Sequence, residues 1–81
     1  MWHVYIIQGT DDKLYTGITT DIERRLAEHN SGRGGKFTRF RGPFELRYKQ
    51  KARTRSAALK REAAIKSLSR ADKLSLILSV D

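Results

Sequence analysis

Trp2-His3-Val4-Tyr5-Ile6-Ile7-Gln8, then Gly9-Thr10-Asp11-Asp12-Lys13, then Leu14-Tyr15-Thr16-Gly17-Ile18-Thr19 is the stretch that decides the fold. The two outer segments are rich in aromatic and β-branched side chains, which suit a pleated, half-buried surface. The segment between them is made of turn formers. The pattern predicts a β-hairpin with one tyrosine on each strand. Side chains alternate with period two, so a loop with an odd number of residues makes Tyr5 and Tyr15 cross-strand neighbours on one face. The sequence leaves that register open, and the plainer reading makes both tyrosines ordinary hairpin aromatics.

Working outward, Thr20-Asp21-Ile22-Glu23 has the form of a capping box, with the Thr20 hydroxyl at the N-cap and a glutamate three residues later. A helix is expected to start there. On its wheel Ile22, Arg25, Leu26 and His29 share a face, while Arg24 points away from it. Ile22 and Leu26 must bury against the sheet, which sets Arg25 and His29 at the margin of the buried stripe. Asn30-Ser31-Gly32-Arg33-Gly34-Gly35 ends the helix with residues that tolerate positive φ. A basic loop from Lys36 to Pro43 follows, and its glycines lack the spacing of a nucleotide-cradling P-loop.

Phe44 to Gln50 alternates Phe44, Leu46 and Tyr48 against Glu45, Arg47 and Lys49, the signature of a half-buried strand. Thr54 caps a second helix running to about Ser67. Ser69-Arg70-Ala71-Asp72 opens a third, with Ala71, Leu74, Ile77 and Leu78 as its apolar stripe. The order is ββαβαα with no internal repeat and no linker. The expected fold is α+β, a small antiparallel sheet flanked by helices, in one domain spanning residues 1–81.

A domain of 81 residues buries only roughly 60 to 65% of its unfolded surface. Cysteine is absent, as is any apolar run of membrane-spanning length or signal-like start, so a reducing, cytoplasmic setting without a membrane partner is expected. The net charge of +8 is concentrated late in the chain. Arg33, Lys36, Arg39, Arg41, Arg47, Lys49, Lys51, Arg53, Arg55, Lys60 and Arg61 are opposed between Arg33 and Arg61 only by Glu45. Such a field attracts polyanions, and Phe37 and Phe40 interleave with the cations as stacking surfaces would. Arg33, Lys36, Phe37, Thr38, Arg39 and Arg41 are therefore the candidate nucleic-acid contacts. A solvated, solubilising face is the bland alternative.

Glu62 falls between Ala58 and Ile65 on the core-facing side of the second helix, where a carboxylate needs a partner. One reading is a structural ion pair with an arginine. The other is a divalent metal, with Mg²⁺ suited to a single carboxylate because it keeps several waters and takes phosphate oxygens as further ligands. No cluster of His, Cys or Asp points to zinc.

Val4-Tyr5 and Tyr15-Thr16-Gly17, with Arg25 ten residues after Tyr15, then His29, a glycine-rich basic loop with Thr38 and Pro43, and a helix containing Glu62, follow one another in the order of the GIY-YIG nucleases. The chain resembles that family along nearly its whole length. It is most similar to small stand-alone members of the UPF0213 type, and these in turn are similar to the catalytic domain of structure-specific nucleases.

The resemblance implies a metal-dependent endonuclease in which Glu62 binds one Mg²⁺ or Mn²⁺ and Arg25 holds the scissile phosphate. It also implies that Tyr5 or Tyr15 accepts the proton of the attacking water and that His29 orients or protonates. A tyrosine in that role needs its phenol pKa lowered by a nearby cation or metal. Many members place an asparagine after the metal-binding glutamate, whereas the only asparagine here is Asn30. With no evident recognition helix, most contacts should go to phosphates. The expected substrate is DNA, ahead of RNA, with branches, flaps or single-stranded portions. A protein partner is the expected source of further substrate choice. The competing reading is a non-catalytic nucleic-acid-binding module or a subunit of a DNA repair complex.

Overall fold

The computed structural model describes residues 1–31 and 43–79. It contains β1 (Trp2–Gln8), β2 (Leu14–Thr19), α1 (Ile22–Asn30), β3 (Glu45–Ala52), α2 (Arg55–Lys66) and α3 (Arg70–Leu78). The strands form a three-stranded antiparallel sheet in the order β2-β1-β3. The expected ββαβαα arrangement is the one observed.

Alternation along β1 builds two cores. Val4 and Ile6 point to one face and pack with Tyr48, Ala58, Ile65 and Ile77, so α2 and α3 close that side. Tyr5 and Ile7 point to the other and pack with Phe44, Tyr15, Leu46, Ile22 and Leu26, so α1 closes it. The hairpin turn holds Asp12 at φ 63, a left-handed conformation that aspartate tolerates better than most residues. The Asp12 N–H donates to the Gly9 carbonyl at 3.0 Å and the Lys13 N–H to Asp11 Oδ1 at 3.1 Å.

Register departs from the simple expectation for the two tyrosines. Tyr5 lies opposite Gly17, and Tyr15 opposite Ile7. They share a face, as an odd loop requires, but sit on a diagonal rather than directly across.

The third strand also departs from its pattern. Ile6 pairs with Tyr48 and Ile7 with Leu46, which leaves Arg47 as the extra residue of a β-bulge. The strict alternation Phe44, Leu46, Tyr48 is therefore split. Phe44 and Leu46 join the Tyr5 face, while Tyr48 joins the opposite core.

Caps show which side chain wins when two compete. Asp21, not Thr20, is the N-cap of α1, its carboxylate accepting from the Arg24 N–H at 3.1 Å. β2 runs on to Thr19, whose hydroxyl accepts from the Asp21 N–H and fixes the turn. Glu23 is then one position early for a capping box. α1 stops at Asn30 with Ser31 in the right-handed region at φ −88, and the glycines expected to end it lie outside the described residues. Thr54 caps α2 and Ser69 caps α3, as expected. The buried arc of α3 is centred on Ile77, with Leu74 and Leu76 packed beside it. Ala71 is exposed, and Leu78, at the last residue of the helix, is 82% exposed, so the expected stripe is rotated at both ends.

Candidate active site

Three of the expected residues meet directly. Tyr5 Oη lies 3.0 Å from His29 Nε2, and Arg25 hydrogen-bonds the same phenol. β1 supplies the tyrosine, and the helical phase of α1 places Arg25 and His29 one turn apart on the face over it. Arg24, with the opposite phase, is exposed. A guanidinium only donates, so the Tyr5 oxygen accepts from Arg25 and its own hydrogen is available to His29 Nε2. Arg25 also pairs with Glu28 at 3.3 Å.

Gly17 makes this possible. A Cβ at that position would stand 2.5 Å from Tyr5 Oη and 2.7 Å from Cζ, so the ring lies directly against the β2 backbone. A glycine inside a strand often marks such a close approach, and that signal was present in the sequence.

Electrostatics distinguishes the members of the cluster. Burial pushes the Tyr5 phenol up. The Arg25 hydrogen bond and charge work against it, and Glu62 and Glu28 add to it. The lowered phenol pKa expected from sequence is thus not what the protein side chains produce. Burial also pushes His29 down, reinforced by the Arg25 charge, which keeps the imidazole neutral and able to accept. Arg25 itself stays firmly charged: burial opposes the charge, but the hydrogen bonds to Tyr5 and Glu28 outweigh it.

Glu62 projects from α2, whose main contacts are with β2 and β1, and its charge reaches the Tyr5 phenol. Its side chain is only 18% exposed and pairs with Lys66 at 3.5 Å, so the ion pair read from the sequence exists, with a lysine in place of an arginine. Among the described residues no group of three or more His, Cys, Asp or Glu side chains could hold a metal. A hard, largely hydrated cation held by one carboxylate fits this donor set, and a zinc-type cage does not.

Tyr15 joins the cluster through an intermediary. Its ring meets Phe44 edge-on at 5.6 Å, and Phe44 meets His29 at 5.8 Å. The Tyr15 hydroxyl donates to Asp11 Oδ2 at 3.3 Å. Phe44 is itself pinned by Asn30, which accepts from its N–H and donates to its carbonyl. The only asparagine therefore supports the site from α1, not from α2. Asn30, Phe44 and Gly17 were not foreseen as site residues.

Arg33, Lys36, Phe37, Thr38, Arg39 and Arg41 lie outside the described residues. Of the other cations in the basic run, Arg61 has a structural task, donating from Nε to Gln50 Oε1 at 2.9 Å beside the Tyr48 hydroxyl.

Residues 1–75 match the family model described as the GIY-YIG catalytic domain. A UPF0213 protein of Halobacterium salinarum is 51% identical over 76 residues, covering 94% of this chain and 99% of that protein. A UPF0213 protein of Staphylococcus saprophyticus is 48% identical over 75 residues, covering 93% and 92%. The solution NMR structure of a UPF0213 protein from Bacillus halodurans superposes with a TM-score of 0.61 at 42% identity, covering 95% of this chain and 83% of that one. That of a protein from E. faecalis gives 0.64 at 42% identity, covering 95% and 82%.

Proposed function

Because the chain belongs to the GIY-YIG family of nucleases, we propose that it is an endonuclease hydrolysing phosphodiester bonds in nucleic acid, with DNA ahead of RNA as substrate. The observation that carries this reading is the Tyr5 oxygen held between the Arg25 donor and the His29 acceptor. In that position Tyr5 takes the proton of an attacking water while passing its own to His29 Nε2. The phenol never has to ionise, so its raised pKa is no obstacle, and the neutral imidazole is the ultimate base. Tyr5, not Tyr15, is the base in this scheme, and Tyr15 forms the wall beyond Phe44.

Arg25 already carries a fork of donors at this point and turns them to a phosphate, for which planar guanidinium geometry is suited. Glu62 would hold the single Mg²⁺ or Mn²⁺ with waters completing its shell, and the ion would supply charge stabilisation at the scissile phosphate and leaving oxygen. Weak sequence preference and a taste for branched or partly single-stranded DNA follow from a basic surface that reads phosphates more than base edges.

The test is cleavage of DNA and RNA substrates of several shapes with and without Mg²⁺. Divalent-dependent cleavage that Glu62→Gln abolishes is the expected result. Salt-sensitive binding with no cleavage under any condition would sink the catalytic reading and leave a binding module.

A further inference from the structure

On the Tyr5 face, beside the cluster, lies an open cavity of about 500 Å³. The sheet contributes Lys49 and Lys51 of β3 and His3 of β1, the start of α1 contributes the carboxylates of Asp21 and Glu23, and Ile22 and Leu46 are the apolar part of the lining. Register explains the placement: Lys49 pairs with Tyr5 and Lys51 with His3, so these side chains share the face of the reacting tyrosine. Ile22 and Leu46 also pack against the Tyr5, Ile7 and Phe44 cluster, so cavity and site share a wall. Arg25 is three residues along α1 from Ile22, a rise of about 4.5 Å.

Cations, an apolar surface and carboxylate acceptors together match the parts of a nucleotide: phosphate, base face and exocyclic amine. An acidic peptide would meet repulsion from Asp21 and Glu23, and a free small anion would leave the apolar surface uncovered. We propose that the cavity receives an unpaired nucleotide adjoining the scissile phosphate. Its phosphates lie on Lys49 and Lys51, its base rests on Ile22 and Leu46, and its amino group donates to Glu23. Asp21 is partly committed to capping α1. A base inside a duplex is stacked between its neighbours and has no free face to lay on Ile22 and Leu46, so the cavity selects unpaired strands. This assignment rests on the nuclease reading above and gives a physical origin to its preference for distorted substrates.

The experiment is fluorescence anisotropy in EDTA, which separates binding from cleavage. Labelled oligo-dC, oligo-dT and a duplex of equal length are titrated over a range of salt. Wild type should favour oligo-dC over oligo-dT by about fivefold or more, the smaller end of discrimination by base-edge hydrogen bonds. The double variant Lys49→Gln/Lys51→Gln should lower the log-log salt slope on single strands by about 1.4, two contacts at roughly 0.7 each, with much less change on duplex. Glu23→Ala should erase the oligo-dC preference without weakening oligo-dT. Both lysines and Glu23 are exposed, so the variants should keep the wild-type circular dichroism.

Equal losses on single strand and duplex, no preference between oligo-dC and oligo-dT, or a poly-glutamate peptide competing as well as oligo-dC would each overturn the proposal. If the wild type discriminates as expected but never cleaves, the cavity stands and the nuclease reading falls. If it cleaves and the lysine variant alters neither slope nor preference, the reverse holds.

Discussion

The two faces of the sheet are built from alternate residues of the same strand and differ in almost every other respect. Behind β1, Val4 and Ile6 meet Ala58, Ile65 and Ile77, with Tyr48 and Trp2 as the aromatic members of that core. In front, Tyr5 is buried among aromatic rings with His29 and Arg25 within hydrogen-bond reach. The packing that stabilises the fold thus lies behind one strand and the Tyr5, Arg25 and His29 cluster in front of it, while Glu62 comes from α2, a helix of the rear layer. A polar cluster can be tolerated in front because dispersion and hydrophobic burial are supplied behind it.

The comparison breaks most sharply under paired substitutions. Ile65→Ala should cost roughly 2–5 kcal/mol of stability through the cavity it leaves, while the folded fraction keeps its turnover. Tyr5→Phe should do the reverse, losing about 10²–10⁴ in rate with a stability change of only about 1 kcal/mol. Urea unfolding and initial cleavage rates on both variants measure this, and a Tyr5→Phe enzyme with near wild-type turnover would remove Tyr5 from the chemistry.

Next in size is the contrast between adjacent arginines. Arg25→Ala should lose on the order of 10² or more in rate, whereas Arg24→Ala should mainly weaken binding at low ionic strength. Equal losses would show that helical phase does not separate them.

Gly17→Ala sharpens the comparison, since the three atoms its added methyl would meet first all belong to the Tyr5 ring and hydroxyl. The expected result is a rate loss smaller than that of Tyr5→Phe, with a changed NMR shift at the His29 ring as the direct sign that the hydrogen bond has moved.

The smallest effect is pH dependence. His29 has a lower pKa folded than unfolded, so the unfolded chain takes up the proton first as pH falls. Its contribution to stability is complete above the unfolded value of about 6.5 and is lost below it. Tyr5 has a raised folded pKa, so its contribution is complete below about 10 and declines as pH rises further, because the unfolded chain deprotonates first. Urea midpoints across pH for wild type and His29→Gln should differ in slope on the acid side only.

Much of this division is legible in the sequence. The hairpin, the caps at Thr54 and Ser69 and the phase that separates Arg25 from Arg24 all follow from local patterns spanning a few residues. What escaped were non-local or competitive outcomes. Which tyrosine meets His29 depends on strand register, and an odd loop fixes the shared face but not the pairing. A bulge at Arg47 leaves composition unchanged while moving Tyr48 to the other face. Thr20 and Asp21 are both good caps, and the winner was set by where β2 ends. The clamp from Asn30 to Phe44 joins residues 14 positions apart and has no sequence signature of its own.

That clamp works as a keystone for the cluster. Asn30 and Phe44 hold the end of α1 to the start of β3 at a point in contact with His29. His29 stands one residue before Asn30, so fixing the helix end also fixes where the imidazole meets Tyr5. A joint between two elements 14 positions apart thereby sets a distance that neither element could set alone.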